Sequence, residues 1–243
     1  MTGSDTPASF RLGYVPGVTP AKWIRTWQDR LPEVPLHLHS LSPTEAAEAV
    51  RAREVDAALL RLPIDRTDLH AIPLYTENTV VVLPKEHPLT DATKITAADL
   101  ADLLVLHPLD DSLDWTAPPG QPAKERPDST ADAIQLVAAG VGLLIVPQSL
   151  ARLHHRKDLT FRPLAEAPVS QVALSWREDA GTELTEQFIG IVRGRTVNST
   201  RGVTPPAPAP APAKAKKPAA TPARNQKRTA APTSRGRKPR RGR

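Results

Sequence analysis

Across 243 residues, 32 Lys and Arg face 26 Asp and Glu, and no cysteine occurs, which excludes a disulfide framework and any thiolate zinc site. No apolar run approaches the roughly 20 residues that a membrane helix needs, and the amino terminus MTGSDTPASF has no signal-peptide pattern, so a cytoplasmic protein without membrane contact is expected. The mean charge hides an asymmetry: thirteen Lys/Arg and no acid lie from Arg201 onward, leaving 19 bases against 26 acids before it, a net −7.

Residues 1–8 read as a disordered leader, and the folded part begins with a strand at Phe10–Val15. Thr19-Pro20 then starts a helix, Pro20–Leu31, because the fixed φ of proline suits the first helical position. Trp23 and Trp27, one turn apart, give that helix an apolar stripe for the core and, in part, for a subunit contact in a homodimer. Strand Val34–Leu41 carries His37 and His39 on one face, which reads as solvated rather than metal-ligating. Ser42-Pro43-Thr44-Glu45 is a capping box for helix Pro43–Arg53. Strands Val55–Leu60 and Thr79–Leu83, helix Ala97–Ala101 and strand Leu103–Leu106 follow. Pro108, Pro118, Pro119, Gly120, Pro122 and Pro127 then forbid a regular helix, so Pro108–Pro127 is a loop, with Asp110, Asp111 and Asp114 as solvated acids. Ser129 and Asp132 repeat the capping pattern ahead of helix Thr130–Ala139, which Gly140 ends in a left-handed turn. Strand Leu143–Val146, helix Gln148–His155, strand Val172–Trp176 and helix Thr182–Arg193 complete the folded part. Strands alternating with helices imply βαβ units and a largely parallel sheet covered on both faces.

Leu136–Pro147 (LVAAGVGLLIVP) closely resembles the "LVAAGxGxxxxP" segment of the effector-binding domain of LysR-type transcriptional regulators. The order of the flanking motifs agrees. Phe10–Val15 looks like that domain's first strand, RAREVDAALL (Arg51–Leu60) like its "xGxxDxxI" segment, and Leu74–Leu83 with Pro84, His87 and Pro88 like its "HPL" region. The resemblance covers about Phe10 to Arg195. It implies an α/β, two-lobed fold like type 2 periplasmic binding proteins over residues 9–198, with lobe one at 9–84 plus 170–195 and lobe two at 85–169. The family's amino-terminal winged helix-turn-helix and linker helix have no counterpart, because this sequence begins at the first sensory strand.

Ligands of open α/β sheets sit outside the carboxyl ends of strands, near helix amino termini that present free N–H groups and partial positive charge. Gly17, Val18 and Thr19 form such a turn, Ser42 and Thr44 a second, and Ser129 and Thr130 a third from lobe two. In the resembled sensors these turns hold small carboxylates, and the match falls most directly on Thr44. Val141 and Gly142 of the glycine-rich segment join the expected ligand site. The plain alternative is that Thr19, Ser42 and Ser129 are helix caps worth ~1 kcal/mol each. No G-x-S-x-G elbow, phosphate-binding glycine loop or HExxH helix occurs, so neither catalysis nor a metal or cofactor is expected.

Residues 199–243 read as a disordered Pro/Ala/Lys/Arg-rich tail, since PPAPAPAPAKAKK (Pro205–Lys217) cannot form a core. Its end carries Arg235, Arg237, Lys238, Arg240, Arg241 and Arg243, expected to bind nucleic acid. Arg235-Gly236-Arg237 resembles the core of an AT-hook, but Lys238 intervenes before Pro239, which favours a polycation that meets phosphates without reading bases. The expectation is an effector-sensing domain that binds a small carboxylate and reaches DNA through its tail. The alternatives are a small-molecule module whose tail binds RNA or another polyanion, and a regulator truncated of its helix-turn-helix.

Overall fold

The structure, a computed structural model, describes residues 8–195. The apolar run Phe10–Tyr14 (β1) pairs in parallel with Leu36–Ser40 (β2) on one side and Ala57–Leu62 (β3) on the other. Helices Ala21–Arg30 (α1) and Ala46–Arg51 (α2) make the two connections. Leu69–Glu77 (β4) and Ser170–Arg177 (β10) finish this sheet, in the order β2-β1-β3-β10-β4. Phe10, Trp27 and Phe188 form its aromatic core, with centroids 4.9, 5.2 and 5.9 Å apart. Phe188 comes from the last helix, Glu183–Val192 (α6). Trp27 is fully buried and its indole donates to the Val34 carbonyl at 2.9 Å. Trp23 is half-buried against the same core.

The second sheet is built from Thr79–Pro84 (β5), Leu104–Leu106 (β6), Gln121–Pro122 (β7), Leu143–Pro147 (β8) and Leu159–Pro163 (β9), in the order β7-β6-β8-β5-β9. Ala97–Leu100 (α3), Thr130–Ala138 (α4) and Gln148–Leu153 (α5) accompany it. Separate apolar clusters, around Ile134 and Val137 and around Ile95 and Leu100, show that both faces are covered.

Three sequence expectations need correction. Strand β5 belongs to the second lobe, not the first: it pairs with β8 and β9, so the chain crosses at Asn78 rather than after Pro84. The apolar run TVVVL is buried on both faces, Val80 and Val82 in one apolar cluster and Val81 and Leu83 in the other, whereas β4 is a half-exposed edge strand. Each sheet is mixed rather than largely parallel, with β10 antiparallel to β3 and β4, and β5 antiparallel to β8 and β9. Those two strands arrive from the other lobe and therefore enter their sheet from the opposite end. Finally, β4, β7 and β9 had no clear sequence signal; β4 carries His70, Pro73 and Tyr75 among its apolar residues, and Pro73 suits an edge.

The two crossovers are stitched together. The Thr79 hydroxyl donates to the Pro168 carbonyl, and Leu164 N–H donates to the Thr79 carbonyl at 3.0 Å. The Pro-rich stretch after β6 contains no helix, as expected, and is held by Arg126, whose guanidinium donates to the carbonyls of His107 and Pro108 at 2.8 and 2.6 Å.

Candidate functional site

Strand β1 runs out at its carboxyl end into Val15–Pro20, where Gly17 takes φ +82°. A Cβ on Gly17 would lie 2.6 Å from Ser149 Oγ and 3.0 Å from Arg61 Nη2, so glycine is required both by backbone and by the approach of the other lobe. Ser149 lies in the first turn of α5, whose Gln148 N–H donates to the Asn78 carbonyl at 2.9 Å. The carboxyl ends of the strands from both lobes thus meet here.

Arg61 sits at the centre of this meeting. It interrupts the apolar run of β3 and is only 6% exposed. Its guanidinium donates to the Pro16 carbonyl at 2.8 Å, to Ser149 Oγ at 3.0 Å and to Glu77 Oε2 at 3.2 Å. Its Nε has no partner among the described residues. One buried cation therefore binds β1's turn, β4 and α5 together, with Glu77 as its counter-ion.

Beside Arg61 lies a cavity of about 420 Å³, bounded by Gly17–Thr19, by Tyr75 and Glu77 of β4, and by Ser149, Arg152 and Leu153 of α5. Burial first, and then the Glu77 carboxylate, hold the Tyr75 phenol above its ordinary range, with Arg61 opposing. Tyr75 is thus a neutral donor at physiological pH. Helix α1 starts at Pro20 with no side-chain cap and no acid in its first turn. Its first N–H groups, the Thr19 hydroxyl and the exposed Arg152 guanidinium form no hydrogen bond to another described side chain. Donors without partners on three elements can hold a small anion.

The other expected residues are placed differently. Ser42 Oγ accepts from Glu45 N–H at 3.2 Å and donates to the Glu45 carboxylate at 2.7 Å, with Thr44 Oγ1 at 3.1 Å. Since the one Ser42 proton points at Glu45, the Thr44 hydroxyl must donate to Ser42. Both protons are spent beside a carboxylate, within a turn that leads into α2; the helix itself starts at Ala46, later than the expected Pro43, and has no side-chain cap. Ser129 Oγ likewise accepts from Asp132 N–H at 3.2 Å and donates to its carboxylate at 2.6 Å. The buried Thr130 donates its N–H and hydroxyl to Asp110 Oδ1, at 2.7 and 2.9 Å. Asp110 is therefore not a solvated loop acid: it is a carboxylate seated on the amino terminus of α4. Asp111 is half-buried, and desolvation pushes its carboxyl up, opposed by Leu113 N–H, His107 and Arg126. Val141 and Gly142 do not join the interlobe site. They line a separate cavity with Pro84, His87 and Leu104, because they precede β8 and so lie at the end of the sheet opposite the crevice. A Cβ on Gly142 would meet the Leu104 carbonyl oxygen at 2.8 Å, so that glycine serves the start of the strand.

Sequence reasoning missed Arg61, Tyr75, Ser149 and Arg152. Only Arg61 carried a signal, a charge inside a run that burial patterning sends to the core. Arg235, Arg237, Lys238, Arg240, Arg241 and Arg243 lie outside the described residues.

A family description, LysR substrate binding domain, matches residues 7–196. The chain belongs to that family. A LysR-type relative, the "Probable hydrogen peroxide-inducible genes activator" of Mycobacterium avium, is 30% identical over 83% of this chain and 70% of its own length. Among solved structures, the oxidised form of OxyR aligns with a TM-score of 0.64 at 20% identity, over 76% of this chain and 93% of that one. The BenM effector binding domain with its effector benzoate aligns with a TM-score of 0.63 at 20% identity, over 77% and 91%. These likenesses establish the two-lobed fold. Among the described residues, no helix is long and apolar enough to cross a membrane.

Proposed function

We propose that this LysR-type domain senses a small carboxylate between its lobes and governs transcription by a contact with DNA that runs through its basic tail. The observation that carries the first half is the convergence of unpartnered donors, on the α1 turn, Tyr75 and Arg152, around a cavity bordered by both lobes. Benzoate in BenM is a ligand of the chemistry that such donors would take. The anion belongs at the α1 turn rather than at Thr44, Ser129 or Thr130: the Thr44 hydroxyl proton is held by Ser42 Oγ, and those of Ser129 and Thr130 by the Asp132 and Asp110 carboxylates. Peroxide sensing, which the name of the mycobacterial relative suggests, would need a reactive thiol, and these 243 residues contain no cysteine and only one other sulfur, at Met1.

Thermal-shift screening of the full chain against a panel of small acids tests this reading. A ligand at ~100 times its dissociation constant stabilises the folded state by ~2.7 kcal/mol. Arg152→Ala should remove most of that shift at unchanged intrinsic stability. If no acid in a broad panel shifts the melt, the sensing role fails. The tail half is tested by binding of the full chain and of a truncation after Ser199 to A·T-rich and G·C-rich duplexes. With ~6–10 phosphates neutralised, affinity should fall ~10³–10⁵-fold between 50 and 200 mM salt, and the truncation should lose it. Binding to RNA but not to DNA would instead favour the polyanion-binding reading of the tail. A homodimer through α1 belongs to the same proposal, with the half-buried Trp23 at the contact.

A further inference from the structure

Helix α5 is a wall of two cavities. Ser149, Arg152 and Leu153 face the interlobe cavity, whereas Ala151, His154 and His155 line a second one of about 190 Å³, set wholly within lobe two. The floor of the second cavity is apolar, made by Val82 of β5 with Leu159 and Phe161 of β9. Its rim is basic: Lys85 just after β5, His154 and His155 at the end of α5, and Arg156 in the turn before β9.

These donors are not equally committed. Arg156 is fully engaged, donating to both Asp158 carboxylate oxygens at 3.0 Å and to Gln135 Oε1 at 2.5 Å. The Arg156 contact, with a smaller contribution from the charge of Lys85, holds the Asp158 carboxyl below its usual range. That one carboxylate is therefore neutralised by Arg156. The Lys85 ammonium and both imidazoles, by contrast, form no hydrogen bond or ion pair with another described side chain. An apolar floor beneath a rim that offers an ammonium and two imidazoles without side-chain partners is complementary to a small amphiphilic anion, since the floor removes apolar area from water while the Lys85 ammonium supplies a charge-assisted hydrogen bond.

We propose that this cavity is a second ligand site, distinct from the interlobe one, which takes a small carboxylate with an apolar body. Its lining has no residue in common with that of the interlobe cavity, so the proposal stands independently of the interlobe reading.

The test is a titration of the full chain with sodium benzoate, following the imidazole signals of His154 and His155 by NMR, assigned with His154→Gln and His155→Gln. Both signals should shift saturably. Lys85→Gln, a change on the exposed rim checked by an unaltered thermal melt, should weaken the titration by about tenfold. Acetate, which lacks the apolar body, should bind more weakly, and benzyl alcohol, which lacks the charge, should not compete. Arg152→Ala, on the interlobe side of α5, should leave this titration in place. Absence of a saturable shift, or a Lys85→Gln titration equal to that of the parent, would overturn the site.

Discussion

The starts of α1 and α4 are made from similar material, a Ser/Thr-bearing turn leading into a helix, yet they end in opposite states. At α4 both hydroxyls and two first-turn N–H groups are spent: the Ser129 hydroxyl on the Asp132 carboxylate, the Asp132 N–H on Ser129 Oγ, and the Thr130 hydroxyl and N–H on Asp110. At α1 there is neither a side-chain cap nor an acid in the first turn, and the turn opens onto a cavity with Tyr75 and Arg152. The residue types of a helix start show that an anion is wanted there. They do not show whether the protein has already supplied one.

The largest effect expected from breaking this comparison is at Arg61, which fixes the α1 turn against α5. Arg61→Met leaves Glu77 buried without its counter-ion and should cost about 3–5 kcal/mol in chemical denaturation. Adding Glu77→Gln should recover most of the loss, because the cost lies in the stranded charge rather than in the missing pair. A double variant no more stable than the single one would show that Arg61 matters through Pro16 and Ser149 instead.

Next in size is the vacancy that can be created at α4. Asp110→Ala should cost about 1–2 kcal/mol, the value of a lost cap plus a buried hydroxyl without a partner. The variant should then be stabilised by sulfate more strongly than the parent, since the helix terminus has become an open anion site. Equal sulfate dependence of the two melts would mean that Asp110 does not fill that terminus.

A smaller contrast separates capping from binding. Ser129→Ala should lower stability by ~1 kcal/mol while leaving the affinity of any interlobe carboxylate unchanged. Thr19→Ala should do the reverse, changing stability by less than about 0.5 kcal/mol and weakening the carboxylate. Calorimetric titrations of both variants with the strongest acid from the screen would show the crossover or its absence.

Much of the fold could be read from local pattern. Helices α1 and α4 start close to where Pro20 and Ser129 place them, while α2 starts later than its capping pattern implied, and Gly140 has the positive φ of a left-handed terminus, +75°. What escaped is non-local. A strand that leaves one sheet and joins the other at the single residue Asn78 carries no mark in its own apolar pattern. The partners that decide each hydroxyl's fate are also distant, with Asp110 20 residues from Thr130 and Arg61 88 residues from Ser149. Val141 and Gly142 went astray for a related reason: a motif at the start of a strand was assigned to the site at its other end.

The smallest expected effect concerns acidity at the filled end. His107 is half-buried where the chain leaves β6, and burial lowers its imidazole pKa; Asp111 opposes that shift and Arg126 adds to it. Between the lowered folded value and about 6.5, the unfolded chain binds more protons than the folded one. His107 therefore makes stability rise with pH through that window, and the contribution is lost as pH falls through the folded value. Asp111 acts in the opposite sense at lower pH. Its carboxyl is raised by desolvation, so stability falls as pH climbs from its ordinary value, about 3.9, through the folded one. His107→Gln should flatten the rise just below pH 6.5 and leave the lower window in place. Asp111→Asn should abolish the lower slope and also push the His107 imidazole further down, because it removes the one charge that raises it. Denaturation midpoints across pH 4–7, with the His107 signal followed by NMR, measure both. A His107 titration unmoved by Asp111→Asn would show that burial alone sets it.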